Sequence, residues 1–270
     1  MPEIAEVETI KNDLLEAKIL SQKIVDVKIF NPSLINISKK DFSQRIKNSR
    51  IINIKRVGKY LIFDLKDKYL IIHLRMTGHI FLKNQNHIFQ KHEHFALVFA
   101  NKKMLVYFDP RRFGKLYLKE DLSSLDKLGS DILSKSFIFE SFYEKLKLKK
   151  KNIKTLLLDQ NFIAGLGNIY VDEALFLAKM HPEKISQNIT KKNAKDLFLS
   201  IKKVISKAIK NRGTSLGKSR SNFSSINEDF GRHQNHLLVH TKKTCPICLS
   251  IIKKIKVNQR TSHFCEKCQK

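Results

Sequence analysis

The chain has 270 residues, enough to bury a sizeable core and to make two domains. Its 52 Lys and Arg against 25 Asp and Glu give a formal charge of +27, which points to a polyanionic partner, nucleic acid first, although an AT-rich coding sequence also inflates lysine. No stretch is apolar for long enough to span a bilayer and the acidic N-terminus is not a signal segment, so a soluble, cytoplasmic protein is expected.

Residues Pro2, Glu3, Glu6 and Glu8 open a helix, because proline suits a first helical turn and acids suit its positive end. Val7, Ile10, Leu14 and Ala17 then fall at helical spacing. Removal of Met1 would free a secondary amine at Pro2, a nucleophile of the type that forms Schiff bases. From residue 23 to about 118 the texture changes to short runs rich in Ile, Val, Phe and Tyr, at 24–29, 51–54, 60–65, 69–74, 95–99, 104–108 and 115–118. Turn formers punctuate them, which is the pattern of a β-sandwich or flattened barrel. Helical candidates follow at 139–148, 153–158, 169–178 and 194–209, the last with Ala194, Leu197, Ile201, Val204 and Ala208 as one apolar stripe.

The fold class is therefore α+β. A β-sandwich with a leading helix is expected over residues 1–125, a helical domain over 126–235, and a hairpin over 236–270. Residues 212–234 show no helical or strand period and read as a long loop, a lid or a binding element.

All four cysteines lie in the last 26 residues. Cys245 and Cys248 are separated from Cys265 and Cys268 by 16 residues, the spacing of a four-cysteine zinc ribbon with no open coordination position. Lys253, Lys254, Lys256 and Arg260 lie between the pairs among apolar residues, as in a basic two-stranded hairpin. Such a hairpin suits phosphate, and it equally suits a structural clip with a solvated face.

In the turn Asp109-Pro110-Arg111-Arg112-Phe113-Gly114 an aromatic ring beside a cation is the composition of a duplex wedge, and also of surface decoration. Met76 sits at another strand end, as a second insertion element or as core packing. Gly165-Leu166-Gly167-Asn168 allows a tight double turn with Asn168 as N-cap of the next helix. Lys59 is either a solvated charge or a phosphate contact.

Together and in this order, these pieces resemble the bacterial formamidopyrimidine-DNA glycosylase family, which excises oxidised purines from DNA. The resemblance is carried by the Pro-Glu start with Glu6, by Gly58-Lys59-Tyr60-Leu61, by Ile72-His73-Leu74 with Met76, and by Lys91-His92-Glu93-His94. It continues through residues 109–114, 165–170 and 259–269. It implies a helix-two-turn-helix domain, a structural Zn(2+) held by Cys245, Cys248, Cys265 and Cys268, and a monomer acting on damaged double-stranded DNA. Pro2 would attack C1′ of the damaged nucleotide, Glu3 would be the acid/base partner at the sugar, and Glu6 would position the site. Lys59, His73, Asn168 and Arg260 would clamp backbone phosphates, with Lys59 also counted among the catalytic residues. Met76, Arg111 and Phe113 would fill the gap left by the extruded base, and His92 and Lys154 would make further DNA contacts.

The chain also departs from the family pattern. Ala5 stands for a usual second proline, Gly217 stands where many members carry a lysine that Lys218 could replace, Val239-His240-Thr241-Lys242 replaces a Tyr-Gly-Arg run, and Leu249 replaces a common glycine. The rival readings are the sister family of oxidised-pyrimidine glycosylases and a non-catalytic, zinc-stabilised DNA-binding protein.

Overall fold

The structure is a computed structural model that describes every residue except Met1, Lys218, Arg220 and Ser221. The chain divides into two compact units, residues 1–126 with 211–234 and residues 127–210 with 235–270.

The first unit begins with α1 (Ile4–Glu16), β1 (Ile24–Ile29), α2 (Lys39–Ile46), β2 (Asn53–Val57), β3 (Tyr60–Asp64) and β4 (Tyr69–His73). It continues with β5 (His79–Asn84), β6 (Glu93–Phe99), β7 (Lys103–Phe108) and β8 (Lys115–Lys119). Two antiparallel sheets form, in the orders β2-β3-β4-β8 and β1-β6-β7-β5. Strand alternation explains the sandwich, since every second residue of a strand faces the same way. In the first sheet Phe63, Leu70 and Leu118 stand in one row and Leu61, Ile72 and Leu116 in the next. In the second sheet Leu97 pairs with both Val27 and Leu105, and Tyr107 pairs with both Phe95 and Ile80. These rows meet Val7, Ile10 and Leu14 of α1 and Phe42 and Ile46 of α2 in one core.

Two elements of this unit, α2 and β5, are not expected from the sequence. α2 is two turns long, so its apolar period is too short to register, although Ser38 caps it by accepting from Asp41 N at 3.1 Å. β5 begins directly after Gly78 and carries His79, Lys83 and Asn84, which hides its apolar face.

Residues 211–234 belong with the sandwich and not with the helical domain expected over 126–235. The reason is polar anchoring. Leu82 N donates to Ile226 O (2.9 Å), Arg212 Nη2 to Asp13 Oδ1 (2.8 Å) and Thr214 N to Glu6 Oε1 (2.8 Å). Phe223 and Ile226 join the sandwich core, so the described part of this segment is built structure without periodicity. Lys218, the proposed substitute for the missing lysine, lies outside the described residues.

The second unit holds β9 (Ser130–Asp131), α3 (Phe139–Lys147), α4 (Ile153–Leu158), β10 (Ile163–Ala164), α5 (Asn168–Leu177), α6 (Lys191–Lys210) and the hairpin β11 (Lys253–Val257) and β12 (Arg260–Phe264). The apolar stripe of α6 is buried as its spacing predicts. Phe137, Phe139 and Phe142 pack their rings on Phe198 at 4.7–5.8 Å. The double turn between α4 and α5 is stapled by one side chain: Gln160 Nε2 donates to Leu158 O and Leu166 O, and its Oε1 accepts from Gly165 N. No helix among the described residues is long and apolar enough to cross a membrane.

Candidate active site

Pro2 is buried, and it lies one position before the N-cap rather than inside the first turn as the sequence suggested. Glu3 is the N-cap because its extended backbone (φ −103°, ψ −167°) directs its side chain to cap the turn that follows. Glu3 and Glu6 form a reciprocal capping box, with Glu6 Oε2 accepting from Glu3 N at 2.7 Å. The other oxygen of Glu6 holds Thr214 N, so one carboxylate fixes the residue after Pro2 and the segment beginning at residue 211 together. Both acids are almost fully buried. Gly213 sits at φ +77°, and a Cβ there would stand 2.9 Å from Glu6 Oε1, so this glycine is required by the approach as well as by the backbone.

Strand pairing gathers the other candidates of the first unit. Val57 opposite Tyr60 closes β2 and β3 with the two-residue turn Gly58-Lys59, and Tyr60 opposite His73 brings the end of β4 to the same edge. Lys59 is only 8% exposed, which removes its reading as a solvated surface charge. His73 Nδ1 accepts from Arg75 N at 3.0 Å, which places the imidazole proton on Nε2. Burial, with Arg75 and Lys59 adding to it, pushes the His73 pKa down to about 3. His73 is thus a neutral N–H donor with a fixed tautomer, held edge-on by Tyr60 at 4.5 Å.

His79 opposite Phe108 brings the turn before β5 beside the turn after β7. Arg111 Nη1 lies 3.5 Å from Met76 Sδ, and its guanidinium stacks 4.6 Å from the Phe113 ring centroid. Met76 is 40% and Phe113 48% exposed, so Met76 is not core packing and the three side chains form one exposed apolar and cationic tip. Asp109, fully buried, shapes that tip. Its Oδ1 accepts from Thr77 Oγ1 (2.6 Å) and Arg111 N (3.2 Å), and its Oδ2 accepts from Gly114 N (2.8 Å) and Tyr107 Oη (3.2 Å). Desolvation and the adjacent Asp109 raise the Tyr107 phenol, keeping it a donor. His92, at φ +73°, receives Asp109 N on its carbonyl, which ties the start of β6 to the same turn.

In the second unit Asn168 is the first residue of α5, and Gly167 is the N-cap, a correction to the N-cap role expected of Asn168. Asn168 Nδ2 instead donates to Thr261 O at 2.9 Å, beside exposed Arg260 at the hairpin turn. Lys154 is 0% exposed, which contradicts a direct side-chain contact to DNA. Its ammonium donates to Asp172 Oδ1 (2.7 Å) and Thr261 O (2.9 Å), because a buried lysine needs a paired carboxylate. Gln160, Asp109, Asp172 and His240 carry much of this geometry. In the sequence Asp109 stands out only within its turn and His240 only within a departure from the family pattern, and Gln160 and Asp172 do not stand out, because their residue types carry no local signal.

The four cysteines converge. Their sulfurs lie within 4.8 Å of one another, with Cys245 to Cys268 at 3.8 Å and Cys248 to Cys265 at 3.4 Å, and none is disulfide-bonded. Four thiolates about 2.3 Å from a tetrahedral zinc stand about 3.8 Å apart, so the donor set fits that metal. Leu249, at φ +61° and 76% exposed, occupies a left-handed position that explains why glycine is common there.

The chain matches the family models described as the formamidopyrimidine-DNA glycosylase N-terminal domain over residues 1–116, the formamidopyrimidine-DNA glycosylase H2TH domain over 128–220, and the zinc finger found in FPG and IleRS over 242–270. It is 40% identical over 275 residues to a formamidopyrimidine-DNA glycosylase of Protochlamydia amoebophila, with all of both chains covered. It is 38% identical over 277 residues to one of Mycoplasma genitalium, with all of this chain and 96% of the other covered. Among solved structures it is similar to the Lactococcus lactis Fpg in complex with abasic-site DNA, at TM-score 0.91 and 38% identity over 99% of each chain. It is equally similar, by the same measures, to a mutant of that protein in complex with DNA containing Fapy-dG. With all three domains matched in order and full-length relatives near 40% identity, the chain belongs to the formamidopyrimidine-DNA glycosylase family.

Proposed function

We propose that the protein is a bifunctional DNA glycosylase and AP lyase that removes oxidised purines, 8-oxoguanine and formamidopyrimidines, from double-stranded DNA. The observation that carries this reading is the start of α1. Pro2 is buried directly before a Glu3–Glu6 capping box whose second oxygen is anchored on Thr214, so the nitrogen and both acids share one fixed frame. Freed of Met1, the Pro2 amine has a reference pKa of roughly 8, so about a tenth is neutral at pH 7. Its lone pair attacks C1′, the glycosidic bond breaks toward the base, and a Schiff base forms with the opened sugar. Glu3 moves the proton at the sugar and Glu6 positions the site. The iminium acidifies the neighbouring sugar proton, and successive β- and δ-eliminations release the phosphates on both sides.

Lys59, His73, Asn168 and Arg260 contact the phosphates, and His92 supports the strand end beside them. Met76, Arg111 and Phe113 fill the stack after base extrusion, with Arg111 toward the orphaned cytosine. The four cysteines hold one zinc ion, which fixes the hairpin and takes no part in the chemistry. Borohydride reduction on duplexes carrying 8-oxoguanine opposite cytosine tests the reading. A covalent adduct that disappears when Met1 is retained supports it, and excision of thymine glycol in preference to 8-oxoguanine overturns the purine assignment.

A further inference from the structure

The buried lysine of the second unit lies at the centre of a polar hub that direct DNA contact does not explain. Asp172 receives five donors. Lys154 Nζ (2.7 Å) and Ser262 Oγ (3.2 Å) reach Oδ1, and His240 Nδ1 (2.8 Å), His263 N (3.2 Å) and His263 Nδ1 (3.2 Å) reach Oδ2. Burial would raise this carboxyl, but the histidine and lysine donors outweigh it and hold it well below the usual range. The donor atoms of Asp172, His240 and His263 lie close enough to suggest a cation site. An ammonium on the same carboxylate, and both oxygens already filled, argue for a hub of hydrogen bonds instead.

A buried ion pair is a poor stabiliser, because desolvation cancels most of its attraction and an apolar pair of similar volume often does as well. What this pair does supply is position. Lys154 spends its second hydrogen bond on Thr261 O, the same carbonyl that receives Asn168 Nδ2. That carbonyl adjoins Arg260, at a turn whose Asn258 and Gln259 both sit at positive φ. The histidine is delivered to the hub by its own strap, since Glu173 accepts the backbone N–H groups of Leu238, Val239 and His240 at 2.7–2.9 Å.

We propose that Lys154, Asp172 and His240 are positioning residues that set Arg260 and Asn168 in register for the DNA backbone through the Thr261 carbonyl, a role that rests on the function proposed above. The paired variant Lys154→Met/Asp172→Leu removes both charges together and leaves neither buried alone. Zinc-loaded full-length protein is titrated with a duplex carrying a tetrahydrofuran abasic analogue between 50 and 200 mM salt. The slope of log affinity against log salt is expected to lose roughly one unit, as for loss of one phosphate contact. In borohydride trapping, the half-saturating DNA concentration rises roughly tenfold while the rate at saturation stays within about twofold. Arg260→Ala alone removes the same unit of slope and removes nothing further in the paired background. His240→Leu shifts the same readouts less, and His240→Asn, which keeps a donor near the place of Nδ1, restores them. An unchanged slope in both the paired variant and His240→Leu overturns the proposal, as does full additivity with Arg260→Ala. Absence of a borohydride adduct in the unmodified protein overturns the proposed chemistry instead, and the salt slope still reads the positioning.

Discussion

His73 shows how a single side chain is prepared. Its Nδ1 is occupied by Arg75 N and its pKa is pushed to about 3, so it stays an uncharged Nε2–H donor through the physiological range. Because the folded value lies below the unfolded one of 6.5, the unfolded chain takes the proton first. The group therefore costs no stability above pH 6.5 and a growing amount as pH falls from there toward 3. An NMR titration of the His73 ring is expected to show no inflection between about pH 5 and 8, and an inflection near 6.5 would contradict the reading. Phe113 is a different case, half exposed and stacked on Arg111. Phe113→Ala should leave the melting temperature within about 1 °C, as surface substitutions usually do. It should weaken binding to abasic-analogue duplex by roughly tenfold, a loss of the order of one stacking contact. At Glu6 the cost falls on the fold as well. Glu6→Ala removes the acceptor of two buried N–H groups, and chemical denaturation is expected to show a loss of about 2–6 kcal/mol, since each unsatisfied buried donor costs about 1–3.

At the scale of elements, the turn from Asp109 to Gly114 is fixed by close packing more than by its own chain. A Cβ at Gly114 would stand 1.6 Å from Tyr107 Oη. Gly114→Ala is therefore expected to destabilise by about 2 kcal/mol or more, as overpacked sites do. Tyr107→Phe in the same chain should recover part of that loss, so the pair is non-additive in urea unfolding. Simple additivity would mean that the clash is relieved elsewhere. The same turn shows what sequence can and cannot reveal. Its residue types announced an exposed ring beside a cation, and the periodicity of α1, α6 and most strands announced where they would pack. The pairing of His79 with Phe108, which brings Met76 to Arg111, depends on β5, whose polar residues concealed it. Asn168 matched a capping pattern, but Gly167 already supplies the extended residue before α5 and leaves the amide for Thr261. Lys154 was readable as a cation on a basic chain, and only the fold shows Asp172 waiting for it.

For the whole molecule, the charge of +27 and the zinc site set the expected response to solution conditions. Neutralising Lys59 or Arg260 should each reduce the salt slope of DNA binding by roughly one unit, and an unchanged slope would remove that residue from the phosphate contacts. Chelation of the metal should melt the β11–β12 hairpin and abolish the contribution of Arg260, measurable as loss of strand signal by circular dichroism together with the drop in slope, because thiolates held this close need the cation to stay together. Peptide mapping of the borohydride-reduced adduct with 8-oxoguanine DNA tests the Pro2 chemistry itself. A sugar remnant is expected on the nitrogen of Pro2 in an N-terminal peptide that has lost Met1. A remnant on a lysine, or none at all on protein shown to begin at Pro2, would contradict that chemistry.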